Sequence, residues 1–184
     1  MDHEEATHRV LDAAERLFYE QGVQAVGMDA VRTASGVSLK RLYLCFASKQ
    51  ELVVATLRRR DERWRDSLAG TVAERAREPR ERVLAVFDWL HDWFGEPGFR
   101  GCAFLNSAAE VGPAWPAVTE VARQHRESLH RYLAELAAEI PVNEPRRVAT
   151  RLQLLLDGAI ASAAINGDPT AAGQAREAAE AFLG

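Results

Sequence analysis

Apolar residues recur along this chain at three- and four-residue spacing almost without a break, and no stretch alternates apolar and polar residues as a half-buried strand must. That pattern leaves one fold class, all-α, with the helices divided wherever glycine or proline interrupts the period. Over residues 3–21, Val10, Leu11, Ala14, Leu17 and Phe18 share one face, and Gly22 stops the helix. Two short helices are predicted next, at 28–35 and 38–44, with Gly36-Val37 as the turn between them. Ser48 with Glu51 three residues on is a capping-box spacing that opens a long helix through Val53, Leu57, Trp64 and Leu68. Further helices are predicted at 80–94, 102–111, 116–140, 144–166 and 170–183.

At 184 residues and 47% apolar, the chain can bury a sizeable core. Its two cysteines, Cys45 and Cys102, are far apart and belong to no ligand motif, so neither a disulfide framework nor a zinc site is expected. The acidic N-terminal residues do not resemble a secretory signal. The most apolar stretch, 152–165, is interrupted by Gln153 and Asp157, short of the ~20 residues a bilayer requires. A cytoplasmic protein without membrane partners is therefore expected. Net charge is −4, but residues 27–60 carry seven Lys/Arg against two acids, +5 in all, leaving the rest at −9. A basic patch on an acidic chain is the electrostatic footprint of a local nucleic-acid interface.

The patch coincides with the two short helices. Their spacing fits a helix-turn-helix, with Val31, Val37, Leu42 and Phe46 as the small shared core. The second helix then presents Leu39, Lys40, Arg41, Tyr43 and Leu44 outward, a short basic face suited to the major groove. The run 9–53 resembles the N-terminal DNA-binding region of the TetR family. The agreeing residues are Arg9-Val10-Leu11-Asp12-Ala13-Ala14, Leu17-Phe18, Gly22, Met28, Gly36-Val37-Ser38, Leu42-Tyr43, Phe46 and Ser48-Lys49. Gly101-Cys102-Ala103-Phe104-Leu105-Asn106 and Glu110 resemble one branch of that family's C-terminal domains. The resemblance implies that Tyr43 and Lys49 hold phosphates, while Ser38, Leu39, Lys40, Arg41 and Leu44 face base edges or nearby backbone. It also implies a repressor released from a palindromic DNA operator by a small apolar or aromatic effector. The sequence departs from the family pattern at Gly27, where a capping Ser or Thr is usual, at Arg32, usually small, and at Leu44-Cys45, often polar or aromatic.

The expected organisation is a helix-turn-helix domain at 1–50, joined by the long helix to a helical ligand-sensing and dimerisation domain at 51–184. In the helix at 144–166 one apolar face suits the core, and a second, Leu154, Gly158, Ala161 and Ile165, suits a partner copy. The last helix adds a small-residue seam of Ala171, Ala175 and Ala178, with Phe182. A homodimer through these helices is expected, as the family resemblance also implies. Aromatic residues cluster between Phe87 and Tyr132, and polar groups fall within apolar stripes. Phe87, His91, Trp93, Phe104, Asn106, His125 and Tyr132 are the candidate pocket lining. No catalytic constellation is evident: His125 and His130 are five apart, failing the i, i+4 metal spacing, and Asp88 with Asp92 reads as a solvated face. No metal or cofactor is expected. The other reading of the same residues is a helical dimerisation or adaptor protein with a degenerate helix-turn-helix.

Overall fold

The computed structural model describes residues 2–183, and the helices among them are α1 (His3–Gln21), α2 (Met28–Ser35), α3 (Leu39–Cys45), α4 (Lys49–Arg75), α5 (Pro79–Phe94), α6 (Ala103–Val111), α7 (Pro116–Ala138), α8 (Pro145–Asn166) and α9 (Ala171–Leu183). Each predicted helix forms, with ends within two residues of those read from periodicity except in α4, which continues seven residues past Leu68 to Arg75. The boundaries have local causes. Asp2 caps α1 by accepting the Glu5 N–H at 2.8 Å. Gly36 ends α2 at φ 69°, a left-handed conformation that glycine takes without a Cβ clash. Ser48 Oγ accepts the Glu51 N–H at 3.1 Å, and the Glu51 carboxylate reaches back to the Ala47 N–H at 2.9 Å, one residue further than a capping box requires.

Packing groups the chain differently from a linear division at residue 50. One compact unit comprises the described residues through Glu62 together with Ala103–Gln124; the other comprises Arg63–Cys102 together with the described residues from His125 onward. The cuts fall inside α4 and α7, so both helices run on from one unit into the other.

In the first unit α1 packs on α2 and α3, and α2 on α3. Val10, Ala14, Val31 and Leu42 are fully buried there, and Val37 and Phe46 nearly so. All four residues expected to form the helix-turn-helix core are therefore in it. Glu15, on α1, accepts from Arg59 at 2.8 Å and from Arg60 at 3.3 Å, and Arg60 stacks 4.0 Å from the Tyr19 ring centroid. This mostly buried charge cluster fixes α1 against α4.

In the second unit α9 packs on α5 and α8, and α5 on α8. The helix that reads as apolar around most of its circumference, α5, is buried at Val83, Leu84, Val86, Phe87, Trp89, Leu90, Trp93 and Phe94. By length and mean hydropathy α8 would suffice to cross a bilayer, contrary to the expectation for that stretch. Averaging conceals its two-sidedness. Leu152, Leu156, Ala159, Ile160 and Ala163 enter the core, while Leu154 and Ile165 are exposed.

Candidate nucleic-acid interface

The geometry of α3 follows from two anchored positions. Ser38 caps it, accepting the Arg41 N–H at 3.3 Å, and Leu42 is fully buried. At about 100° per residue, the direction opposite Leu42 falls midway between Lys40 and Leu44. These two are the outermost side chains, with Tyr43 and Arg41 on the flanks. The exposures agree: Leu44 is 67% exposed, Leu39 48% and Tyr43 47%, and Ser38 and Lys40 are exposed as well. Arg41 differs from the other expected readers. Its Nη1 donates to the backbone carbonyl of Asp2 at 2.9 Å, tying α3 to the first turn of α1. Cys45 Sγ lies 4.0 Å from His3 Nδ1 on the same seam.

The departures from the usual pattern resolve locally. Gly27 caps α2 without a side-chain hydrogen bond. Arg32 pairs within its own helix, its Nε donating to Asp29 at 2.7 Å.

Lys49, at the start of α4, is only partly exposed. Its Nζ lies 3.5 Å from the Gln24 carbonyl and 5.9 Å from the Trp115 ring centroid. Burial draws the ammonium below the ordinary lysine range, while the nearby Glu110 charge opposes that. Glu110, on α6, also accepts the Gln24 N–H at 2.9 Å. Its carboxylate lies so close over Gly22 (φ 88°) that a Cβ there would meet it at 3.0 Å. The loop after α1 and the segment after α6 thus meet the Lys49 ammonium from two sides.

The expected pocket residues are divided between the two units. Trp93 and His125 both belong to an aromatic cluster centred on Trp64: Trp64–Trp89 4.8 Å, Trp64–His125 5.0 Å, Trp64–Trp93 5.9 Å, with Trp93–Phe99 at 5.0 Å. Trp89 Nε1 donates to Ser67 Oγ at 3.0 Å. The four ring contacts are edge-to-face, while Trp89 and Trp93 stack at 5.4 Å. Phe87 is buried in the same core. His91 is exposed instead, with Nδ1 3.2 Å from the Pro169 carbonyl. Phe104 and Asn106 belong to the first unit, Phe104 buried and Asn106 exposed. Tyr132 is half-buried and lines an open cleft of about 240 Å³ with Arg65, Asp66, Leu68, Ala69, Ser128, Leu129, Arg131 and Glu135; burial raises its hydroxyl above the ordinary tyrosine range. Among the described residues no group of three or more His, Cys, Asp or Glu is placed to hold a metal ion.

The expected seam is mostly on the surface. Leu154, Gly158, Ala161 and Ile165 form an exposed stripe on one face of α8, with Leu154 64% and Ile165 83% exposed. On α9, Ala178 is exposed and Ala171 and Phe182 are partly so. Ala175 departs from the expectation: it is buried in the core of its own chain, because α9 turns that face toward α5 and α8.

Residues 10–56 match the family model described as bacterial regulatory proteins, tetR family, and residues 79–179 match that of the tetracyclin repressor-like C-terminal domain. The second match alone spans more than half of the chain. This chain belongs to the TetR family. A curated relative, the HTH-type transcriptional regulator BetI of Rhizobium meliloti, is 30% identical over 81% of this chain and 73% of its own. The HTH-type transcriptional activator FasR of Mycolicibacterium smegmatis is 36% identical over 50% of this chain and 44% of its own. Among solved structures, a TetR-family transcriptional regulator from Streptomyces coelicolor is 31% identical, covers 98% of this chain and 95% of its own, and superposes with a TM-score of 0.89. Escherichia coli NemR in its reduced form, at 20% identity and TM-score 0.84 over 96% of both chains, shares the fold. As a TetR-family member the chain is a DNA-binding transcriptional regulator.

Sequence reasoning missed the contacts that this TetR-family chain makes across its elements. Trp64 was legible as an apolar position of α4, not as the centre of an aromatic cluster. Asp2 and His3 beside α3, and Trp115 beside Lys49, carry no local signal, because each meets a partner more than 40 residues away or in another helix. Glu110 is the exception: it was singled out by resemblance, and the structure gives it partners in Gln24 and Gly22.

Proposed function

We propose that this TetR-family regulator is a homodimeric repressor working in the cytosol, binding a palindromic operator through α3 of each protomer and leaving it when a small, largely apolar molecule binds in the second unit. The observation that carries the reading is the exposed apolar stripe Leu154–Gly158–Ala161–Ile165 on α8, beside the partly exposed Ala171 and Phe182 of α9. Small residues there let a second helix approach closely, and a two-fold pairing matches the two-fold symmetry of a palindrome. Ser38, Leu39, Lys40, Tyr43, Leu44 and Lys49 supply the operator face. Arg41 contributes by fixing α3 as well as by its charge.

The effector site is supported by the aromatic core around Trp64, Trp93 and His125 and by the cleft at Tyr132, whose Leu68 and Leu129 also belong to the buried residues of that unit. A ligand entering by the cleft would displace the packed rings and so favour another arrangement of the helices that bear them. By linkage, operator must then weaken effector binding by the same factor that effector weakens operator binding.

Selection of bound sequences from random duplexes with the purified protein tests the operator claim. An inverted repeat is expected, with half-sites about one helical turn or a multiple apart. A selected site with a single half-site or a direct repeat would overturn the dimeric reading. Titrating apolar candidates against free and operator-bound protein tests release: equal affinity for both states would exclude the candidate as an effector.

A further inference from the structure

We propose that Leu44 reads the C5-methyl group of a thymine in each operator half-site, one or two base pairs from the base that Lys40 contacts. The inference rests on α3 entering the major groove. Leu44 and Lys40 are the two side chains directly opposite the buried Leu42, so whatever edge α3 meets, they meet first. Lys40 has ready partners there in guanine O6 and N7. Leu44 has none among the polar groups. Pressed against a cytosine or adenine amino group, or against a carbonyl oxygen, a leucine removes water and returns no hydrogen bond, which is unfavourable. The apolar group that the major groove offers is the thymine methyl.

The composition of the face strengthens the argument. A single exposed leucine on a protein surface needs no explanation. Here Leu39, Tyr43 and Leu44 are all exposed on one seven-residue helix that also carries Lys40, inside the basic window of the chain. That charge favours nucleic acid over an apolar protein surface as the occupant. The spacing sets the register. Side chains four apart on a helix have Cβ atoms about 5–6 Å apart, and base pairs stack about 3.4 Å apart, so the methyl lies within two base pairs of the Lys40 contact.

The test uses the full-length protein and the duplex selected from random DNA, with Kd measured at one fixed salt concentration. Each thymine is replaced in turn by uracil, which removes only the methyl. Burying one such group corresponds to about a fourfold change in affinity, or about 15-fold when both half-sites are altered. We expect one thymine per half-site to show this loss. Leu44→Ala, at an exposed position that leaves the fold intact by circular dichroism, should bind the thymine duplex more weakly and be indifferent to uracil there. At the same position, cytosine should weaken wild-type binding further, and 5-methylcytosine should recover part of it, because it restores the methyl.

Wild-type protein that binds the selected duplex with no uracil-sensitive thymine overturns the proposal while leaving the DNA-binding reading standing. So does a uracil sensitivity that persists unchanged in Leu44→Ala. Failure to select any duplex would remove the DNA-binding reading and this inference with it.

Discussion

Replacing Lys49 by Met should change how operator binding depends on salt without changing which operator is preferred. The Lys49 ammonium lies between the Gln24 carbonyl and the Trp115 ring, and methionine keeps most of the length of the lysine side chain while removing that charge. If each Lys49 neutralises one phosphate, a dimer loses two, and the slope of log K against log salt becomes shallower by about 1.8. Between 50 and 200 mM salt, wild-type protein should then lose about 12-fold more affinity than the variant. Fluorescence anisotropy on the selected duplex and on a scrambled one, over a salt series, measures both slope and discrimination. The ratio of the two affinities should stay constant, since phosphate contacts carry no sequence information. Burial holds the Lys49 ammonium below the ordinary lysine range. Its contribution should therefore fade at a lower pH than for an exposed lysine, as rising pH removes the proton, and only in wild-type protein. An unchanged slope in Lys49→Met would show that the lysine is a strut against Trp115, and a changed sequence preference would show that it reads bases.

Three further outcomes follow from packing. Gly158→Trp should yield monomers by light scattering and weaken operator binding, because a Cβ at Gly158 meets nothing within 4 Å in its own chain, so the bulk lands on the proposed partner; a surviving dimer would move the seam off α8. Glu15→Gln should cost about 1–3 kcal/mol in urea unfolding, since it weakens charge-assisted bonds to both Arg59 and Arg60; a loss under 0.5 kcal/mol would mean the cluster is solvated. Gly112→Ala should cost about 2–4 kcal/mol by the same assay, because its Cβ would sit 2.4 Å from the Ala108 carbonyl and 2.6 Å from Thr119 Oγ1; wild-type stability would show that α6 and α7 shift apart freely.

Much of this protein was legible in its sequence because its signals are local. Helix identity follows from apolar spacing and from stops such as Gly22 and Gly36, where one residue's conformational freedom decides the outcome. The helix-turn-helix core of Val31, Val37, Leu42 and Phe46 lies within 16 residues, so spacing alone places its members together. Charge density along residues 27–60 marked the same segment without any knowledge of tertiary contacts.

Tertiary structure decided whatever depends on which helix faces which. Periodicity gave α8 two apolar faces, and it took packing to bury Leu152, Leu156 and Ile160 and leave Leu154 and Ile165 in water. It placed Ala175 against α5 and α8, though its spacing on α9 resembled that of exposed Ala178. It drew Arg41 onto the Asp2 carbonyl, leaving Lys40 and Leu44 outermost. It filled the aromatic cluster with Trp64 and opened the cleft at Tyr132, where sequence had grouped seven residues in one pocket. The physical reason is the same each time. Helical period fixes the face a residue shares with its neighbours, whereas the rotation of each helix about its axis is set by jigsaw packing among side chains far apart in the chain.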